Sequence, residues 1–141
     1  MSINHRSPDG VELRAIPGYP DYFAGDDGEV YSCRNGRKLR RVTGGFFTTK
    51  TGVRYRTHQV FGTDGRRKNV CRHFLIALAW LGPRPAGKVT DHANGNSEDN
   101  RPANLRYCTY RENTNNPNSR PNAGMLRRAE NLANQRPGAG L

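Results

Sequence analysis

No apolar run in this chain is longer than eight residues, Phe74 to Leu81, well short of the roughly 20 that a bilayer-spanning helix requires. No charged leader with an apolar stretch opens it either, so a membrane partner and an export route are not indicated and a cytoplasmic location is expected. Cysteine is scarce: Cys33, Cys71 and Cys108 stand far apart, with no Cys-x-x-Cys pair and no histidine at finger spacing. That excludes a zinc knuckle and a disulfide framework, and fits a reducing compartment. Hydrophobic residues make up only 33% of the 141. The core must be thin, and stability has to lean on strand pairing and turns. A heptad seam is also missing, which makes a monomer the expected state.

Acid is nearly absent from one region. Between Val30 and Arg72 stand twelve Lys or Arg and a single acid, Asp64, whereas the rest of the chain holds eleven of each sign. The entire excess of +11 therefore lies in one 43-residue block. A protein that needed charge only for solubility would scatter it; clustering suits a surface laid on nucleic-acid phosphates. The expected DNA-contacting residues are Arg37, Lys38, Arg40, Arg41, Lys50, Arg54, Arg56, Arg66, Arg67 and Lys68. A basic face that meets only solvent, or an anionic membrane, is the alternative.

Turn formers recur through this block at Asn35-Gly36, Gly44-Gly45, Thr51-Gly52 and Asp64-Gly65, which predicts an antiparallel meander. Alternation from Val53 puts Val53, Tyr55 and Thr57 on one face and Arg54, Arg56 and His58 on the other. Such a ribbon can enter a major groove. Before it, residues 1 to about 14 look unpatterned. After it, His73 to Leu81 is a run of helix formers stopped by Gly82-Pro83, which predicts a buried helix.

The stretch from Val89 to Asn113 is the richest in chemistry. Asp91 and His92 are followed by a polar loop, Asn94 to Asn100, then by Asn104, the alternating Leu105 and Tyr107, and a capping box, Thr109-Tyr-Arg-Glu112, with Asn113 in the helix it opens. Its order is strand, loop, strand, helix. Neighbours on a strand face opposite ways, so Asp91 and His92 can serve one site only where the strand ends or bulges.

This order resembles the ββα-metal site of the HNH nucleases, and most closely the phage homing endonucleases among them: Asp-His-x-x-Gly-Asn, then Asn-Leu, then a last Asn at a helix start. The segment Ile16-Pro-Gly-Tyr-Pro-Asp-Tyr22, followed by Gly28-Glu-Val-Tyr-Ser32, is similar to the module that precedes that site in the same group, although Ala24-Gly25-Asp26-Asp27 departs from its usual Ser-Asn pair. The resemblance implies metal-dependent hydrolysis of double-stranded DNA to 5′-phosphate and 3′-hydroxyl ends. In that mechanism Asp91 and Asn113 hold one divalent ion, Mg2+ or Mn2+, and His92 activates water. Asn104 ties the loop and holds His92 in orientation, and His73 stands outside the metal site. Oxygen donors do suit a hard cation, and histidine can take a proton near neutral pH.

The expected fold is α+β: a lead-in over 1–15, a basic antiparallel sheet over 16–72, a buried helix and ββα motif over 73–116, and a tail over 117–141 with a short helix at Met125 to Leu132. The longer members of the group carry a helix-turn-helix after the catalytic unit, so weaker sequence selectivity, or a protein partner that supplies it, is expected here. Two rivals stand beside a strand-nicking enzyme: a DNA-binding protein that uses the ββα unit as scaffold, and an RNA-binding or RNA-cleaving protein.

Overall fold

A computed structural model describes residues 4–7 and 9–118. The proposed tail helix, Met125 to Leu132, lies outside the described residues. The architecture is α+β, with antiparallel sheets and few helices.

The first sheet has five strands, β1 (Asn4–Arg6), β2 (Glu12–Ala15), β3 (Tyr22–Gly25), β4 (Val30–Ser32) and β5 (Arg40–Val42), paired antiparallel in chain order. The stretch expected to be an unpatterned lead-in thus supplies β1 and β2, and Leu13 of β2 is wholly buried. Four residues are too few to display an alternation in the sequence, and only pairing with β3 reveals the strand.

The basic meander is also two sheets rather than one. Three further strands, β6 (Gly45–Thr48), β7 (Arg54–Phe61) and β8 (Arg67–Cys71), form a separate sheet, broken from the first at Gly44-Gly45. Gly44 has φ +67° and lies against the backbone of Thr57 and the ring of His58, where a β-carbon has no room. The chain leaves the first sheet there because it passes directly over β7.

Helix α1 (Arg72–Leu81) stands at the centre and packs on strands of both sheets. Its Leu75, Ile76 and Ala77 join Ile16, Tyr22, Ala24, Val30, Val60 and Leu105 in a contiguous core. Burying a side chain such as Leu75 or Ile76 contributes about 1.5–3 kcal/mol. Trp80 donates from Nε1 to the Ala24 carbonyl (3.0 Å), and Gly82 ends the helix. At the other end, buried Arg72 joins the parts: its Nε donates to His58 Nε2 (2.9 Å), a second nitrogen to the Thr43 carbonyl (3.2 Å), and a third pairs with Glu29 at 3.1 Å. His58 was expected on the arginine face of β7, but that face turns inward beyond Arg56, so His58 and Val60 are buried.

After α1 come β9 (Val89–His92), β10 (Leu105–Cys108) and α2 (Tyr110–Thr114). The Tyr107 hydroxyl donates to the Gly82 carbonyl (2.8 Å) and ties this unit to the end of α1.

Candidate active site

Strands β9 and β10 pair antiparallel with Asp91 opposite Arg106 and His92 opposite Leu105. Strand β9 ends at His92, whose carbonyl accepts from the Gly95 N–H to close the next turn. Thr109 and Glu112 form both halves of the expected capping box, which starts α2 against β9.

The two neighbours at the end of β9 reach different surroundings, as strand geometry requires. Asp91 is 4% exposed, and its Oδ2 accepts from Arg106 Nε at 2.8 Å and from Asn116 Nδ2 at 3.0 Å. No hydrogen bond among the described residues occupies its Oδ1. His92 turns toward α1 and β7: its ring meets His73 edge-on at 5.2 Å between centroids and lies 6.4 Å from Tyr55. Its Nε2 is 2.8 Å from Asn100 Oδ1. An amide oxygen only accepts, so this contact is a hydrogen bond when Nε2 carries the hydrogen, the tautomer that keeps a lone pair on Nδ1. Burial pushes the imidazole below its ordinary pKa, partly offset by the Asn100 bond and by Asp91 and Asp99. A neutral ring with a free lone pair can accept a proton from water.

Asn104 was expected both to tie the loop and to hold His92. It does bond the loop: its Oδ1 accepts from the Asn94 N–H and its Nδ2 donates to Asn94 Oδ1 and the Asp99 carbonyl, all at 2.9 Å. Asn100, however, is the residue on His92. Asn104 points into the loop, and the chain reverses between them so that only Asn100 meets the imidazole. Asn113 is half-buried on α2, and its side-chain amide makes no hydrogen bond among the described residues. Asn116, just past α2, donates to Asp91 Oδ2 and to the His92 and Ala93 carbonyls (both 3.3 Å). In the sequence Asn116 has no expected role, although it lies within the span of the ββα motif. Nothing in its local context marks it, since its partners lie 23 to 25 residues away.

Asp91 Oδ1 and the Asn113 amide oxygen, both without hydrogen-bond partners among the described residues, are oxygen donors of the kind a hard divalent ion takes. No group of three His, Cys, Asp or Glu among the described residues could hold a metal ion.

Comparison with known proteins gives a family and a fold. Residues 70–115 match the HNH endonuclease family model. The DNA endonuclease I-HmuI of Bacillus phage SP01 is 30% identical over 130 residues, spanning 90% of this chain and 70% of the phage enzyme. This chain belongs to the HNH endonucleases. The fold agrees as well: a solved structure described as DNA binding and cleavage by the HNH homing endonuclease I-HmuI superposes with a TM-score of 0.59 at 31% identity, covering 88% of this chain and 68% of that one.

Within this HNH endonuclease the basic block is divided between the sheets. Arg37, Lys38, Arg40 and Arg41 are exposed on and before β5, Lys50 and Arg54 at the β6–β7 hairpin, and Arg66, Arg67 and Lys68 at the β7–β8 hairpin. Arg72, part of the same charge count, is internal and paired with Glu29. Arg56 is half-buried and pairs with Glu98 of the loop after β9 at 2.9 Å, while Ser97 of that loop donates to the Arg54 carbonyl. The β6–β7 hairpin of this HNH endonuclease is thereby fastened to the loop that carries its amides. Two exposed aromatics stand on the same hairpin: Phe46 lies under Arg54 (4.3 Å), and Phe47 meets Tyr55 (5.6 Å).

Proposed function

We propose that this HNH endonuclease hydrolyses phosphodiester bonds of duplex DNA one strand at a time, using one divalent ion, Mg2+ or Mn2+, held by Asp91 and Asn113. When bound, such an ion offsets negative charge on a phosphate oxygen and on the departing 3′ oxygen. The protein's own groups do the rest. His92 Nδ1 takes the proton of the attacking water, the Nε2–H stays on Asn100, and the products carry 5′-phosphate and 3′-hydroxyl ends. Arg106 and Asn116 hold Asp91 by Oδ2, which leaves Oδ1 for the ion. The exposed cations of β5 and the two hairpins of the second sheet bind phosphates along the duplex.

The observation that carries this reading is the end of β9, where the His92 ring meets Asn100 through Nε2 and the adjacent Asp91 carboxylate is held through Oδ2. DNA is favoured as substrate by the relative's name, DNA endonuclease. The three cysteines are free, in keeping with action in a reducing cytoplasm.

Supercoiled plasmid incubated with Mg2+, beside an EDTA control, tests the proposal. Open circles should form before linear DNA, because one ββα unit reaches one scissile phosphate at a time and a second cut needs a second copy or a re-docking event. Linear DNA from the earliest times, at a rate rising with the square of protein concentration, would show a dimeric double-strand cutter. Asp91→Ala and Asn113→Ala should each raise the Mg2+ needed for half-maximal cutting by about tenfold or more, as expected when a metal site loses a ligand. Unchanged metal titrations would remove both residues from the site.

A further inference from the structure

Asn100 is backed by a turn of the first sheet that lies about seventy residues earlier in the chain. The turn between β3 and β4 brings Gly28, at φ +80°, against the peptide joining Asn100 to Arg101. A β-carbon on Gly28 would lie 2.6 Å from both the Asn100 carbonyl carbon and the Arg101 nitrogen, and 2.9 Å from the Asn100 oxygen. These are backbone atoms and cannot swing aside. The turn itself is braced: Asp27 accepts from the Glu29 N–H at 3.0 Å and from the Tyr31 hydroxyl at 2.7 Å, and the Gly28 N–H donates to the Gly25 carbonyl at 3.0 Å. Asn100 is 3% exposed, and its Nδ2 is buried without a partner. A buried amide that leaves its donors unused does little for stability. What it does supply is an oxygen held at a fixed place beside His92.

We propose that Asn100 and Gly28 are positioning residues for His92, with Asn100 holding the imidazole as its Nε2–H tautomer and the Gly28 turn fixing Asn100 by contact with its peptide. This rests on the reading of His92 as the base. The first sheet then belongs to the catalytic apparatus as well as to the binding surface. As water gives its proton to Nδ1, the ring becomes an imidazolium, and the Nε2–H bond to Asn100 Oδ1 strengthens because its donor is now charged. Without that acceptor, nothing among the described residues selects Nδ1 as the basic nitrogen.

The test uses the full chain and supercoiled plasmid with Mg2+. Asn100→Leu should lower kcat by about 100-fold, the scale of a displaced general base, while KM for DNA stays within about threefold. Asn100→Asp, which keeps an oxygen facing Nε2, should recover kcat to within about tenfold of the parent. Gly28→Ala should lower kcat about tenfold. Gly18→Ala provides the control for backbone strain: Gly18 has φ +84° in the turn between β2 and β3 but no atom within 4 Å of a β-carbon, so its kcat should not change. Equal losses in Gly18→Ala and Gly28→Ala, or an Asn100→Leu enzyme with the parent kcat, would overturn the proposal. A second readout does not depend on activity. Nitrogen-15 spectra of the histidine side chains near neutral pH should show His92 as the Nε2–H tautomer in the parent and lose that preference in Asn100→Leu. An Nδ1–H tautomer in the parent would sink the assignment even if the plasmid is cut. A parent that does not cut at all would instead overturn the nuclease reading.

Discussion

His58 and His92 make an instructive pair. Both are buried, and burial pushes both below the ordinary histidine value, His58 to about 4. Their second ring nitrogens tell them apart. At His58 the Nε2 lone pair accepts from Arg72, and Nδ1 is shut in beneath Gly44 with no partner. No lone pair is left for chemistry, and the residue serves as a joint between β7, α1 and Glu29. At His92 the Nε2 hydrogen goes to Asn100, which leaves Nδ1 unspent at the open end of a strand beside Asp91. A depressed pKa therefore does not single out a catalytic histidine. What does is which ring nitrogen gives and which receives.

The comparison can be broken or sharpened by four measurements. The largest effect is expected for His92→Ala, which should reduce nicking about 1,000-fold, within the range for a lost general base, with DNA affinity within about twofold. His58→Ala should instead lower stability and leave the kcat of the folded fraction unchanged; a catalytic loss without a fall in Tm would erase the distinction. Next comes Arg72→Met, which strands Glu29 and His58 and should destabilise the fold by about 3 kcal/mol in urea unfolding. A loss below about 1 kcal/mol would show that the junction does not hold the sheets.

Acid gives the third measurement. The folded value of His58, about 4, lies below that of the unfolded chain, so the unfolded state takes up the proton first. Its contribution is complete above about pH 6.5 and is lost as pH falls toward 4. Between pH 7 and pH 5 the parent should lose about 2 kcal/mol more than His58→Gln. Equal slopes would remove His58 from the acid response. The smallest effect concerns DNA: Arg54→Ala should flatten the log-log salt dependence of binding by about one unit. Arg56→Ala should change it less, because Arg56 is already paired with Glu98. The reverse order would mean that Arg56 leaves Glu98 for the duplex.

Much of the ββα unit was legible because its signals are local. The capping box at Thr109 and Glu112, the polar turn after His92 and the alternation of Leu105 and Tyr107 each lie within a few residues of their partners, and the structure has all three. Gly82-Pro83 likewise stops α1 where expected. Long-range amide contacts were not legible. Asn100 was one asparagine among several in its loop, and Asn116 one more polar residue past α2, because an amide has the same sequence signature whether it faces water or a buried carboxylate. The two-sheet division was hidden for a related reason. Gly44-Gly45 signals a turn, but only the passage of β7 beneath Gly44 turns it into a boundary. Arg72 looked like one more surface cation until its neighbours were in place.

The fastening of the β6–β7 hairpin to the loop after β9, through Arg56 with Glu98 and Ser97 with the Arg54 carbonyl, turns the second sheet into a ruler. If that hairpin seats on a duplex and His92 is the base, as proposed, the phosphate presented to His92 would lie a set number of base pairs away. The offset between recognised and severed positions would then be built into the protein and would not vary with the sequence bound. Grafting a foreign hairpin that lacks those two attachments would blur the cut over neighbouring phosphates, whereas one that keeps them would move it as a whole.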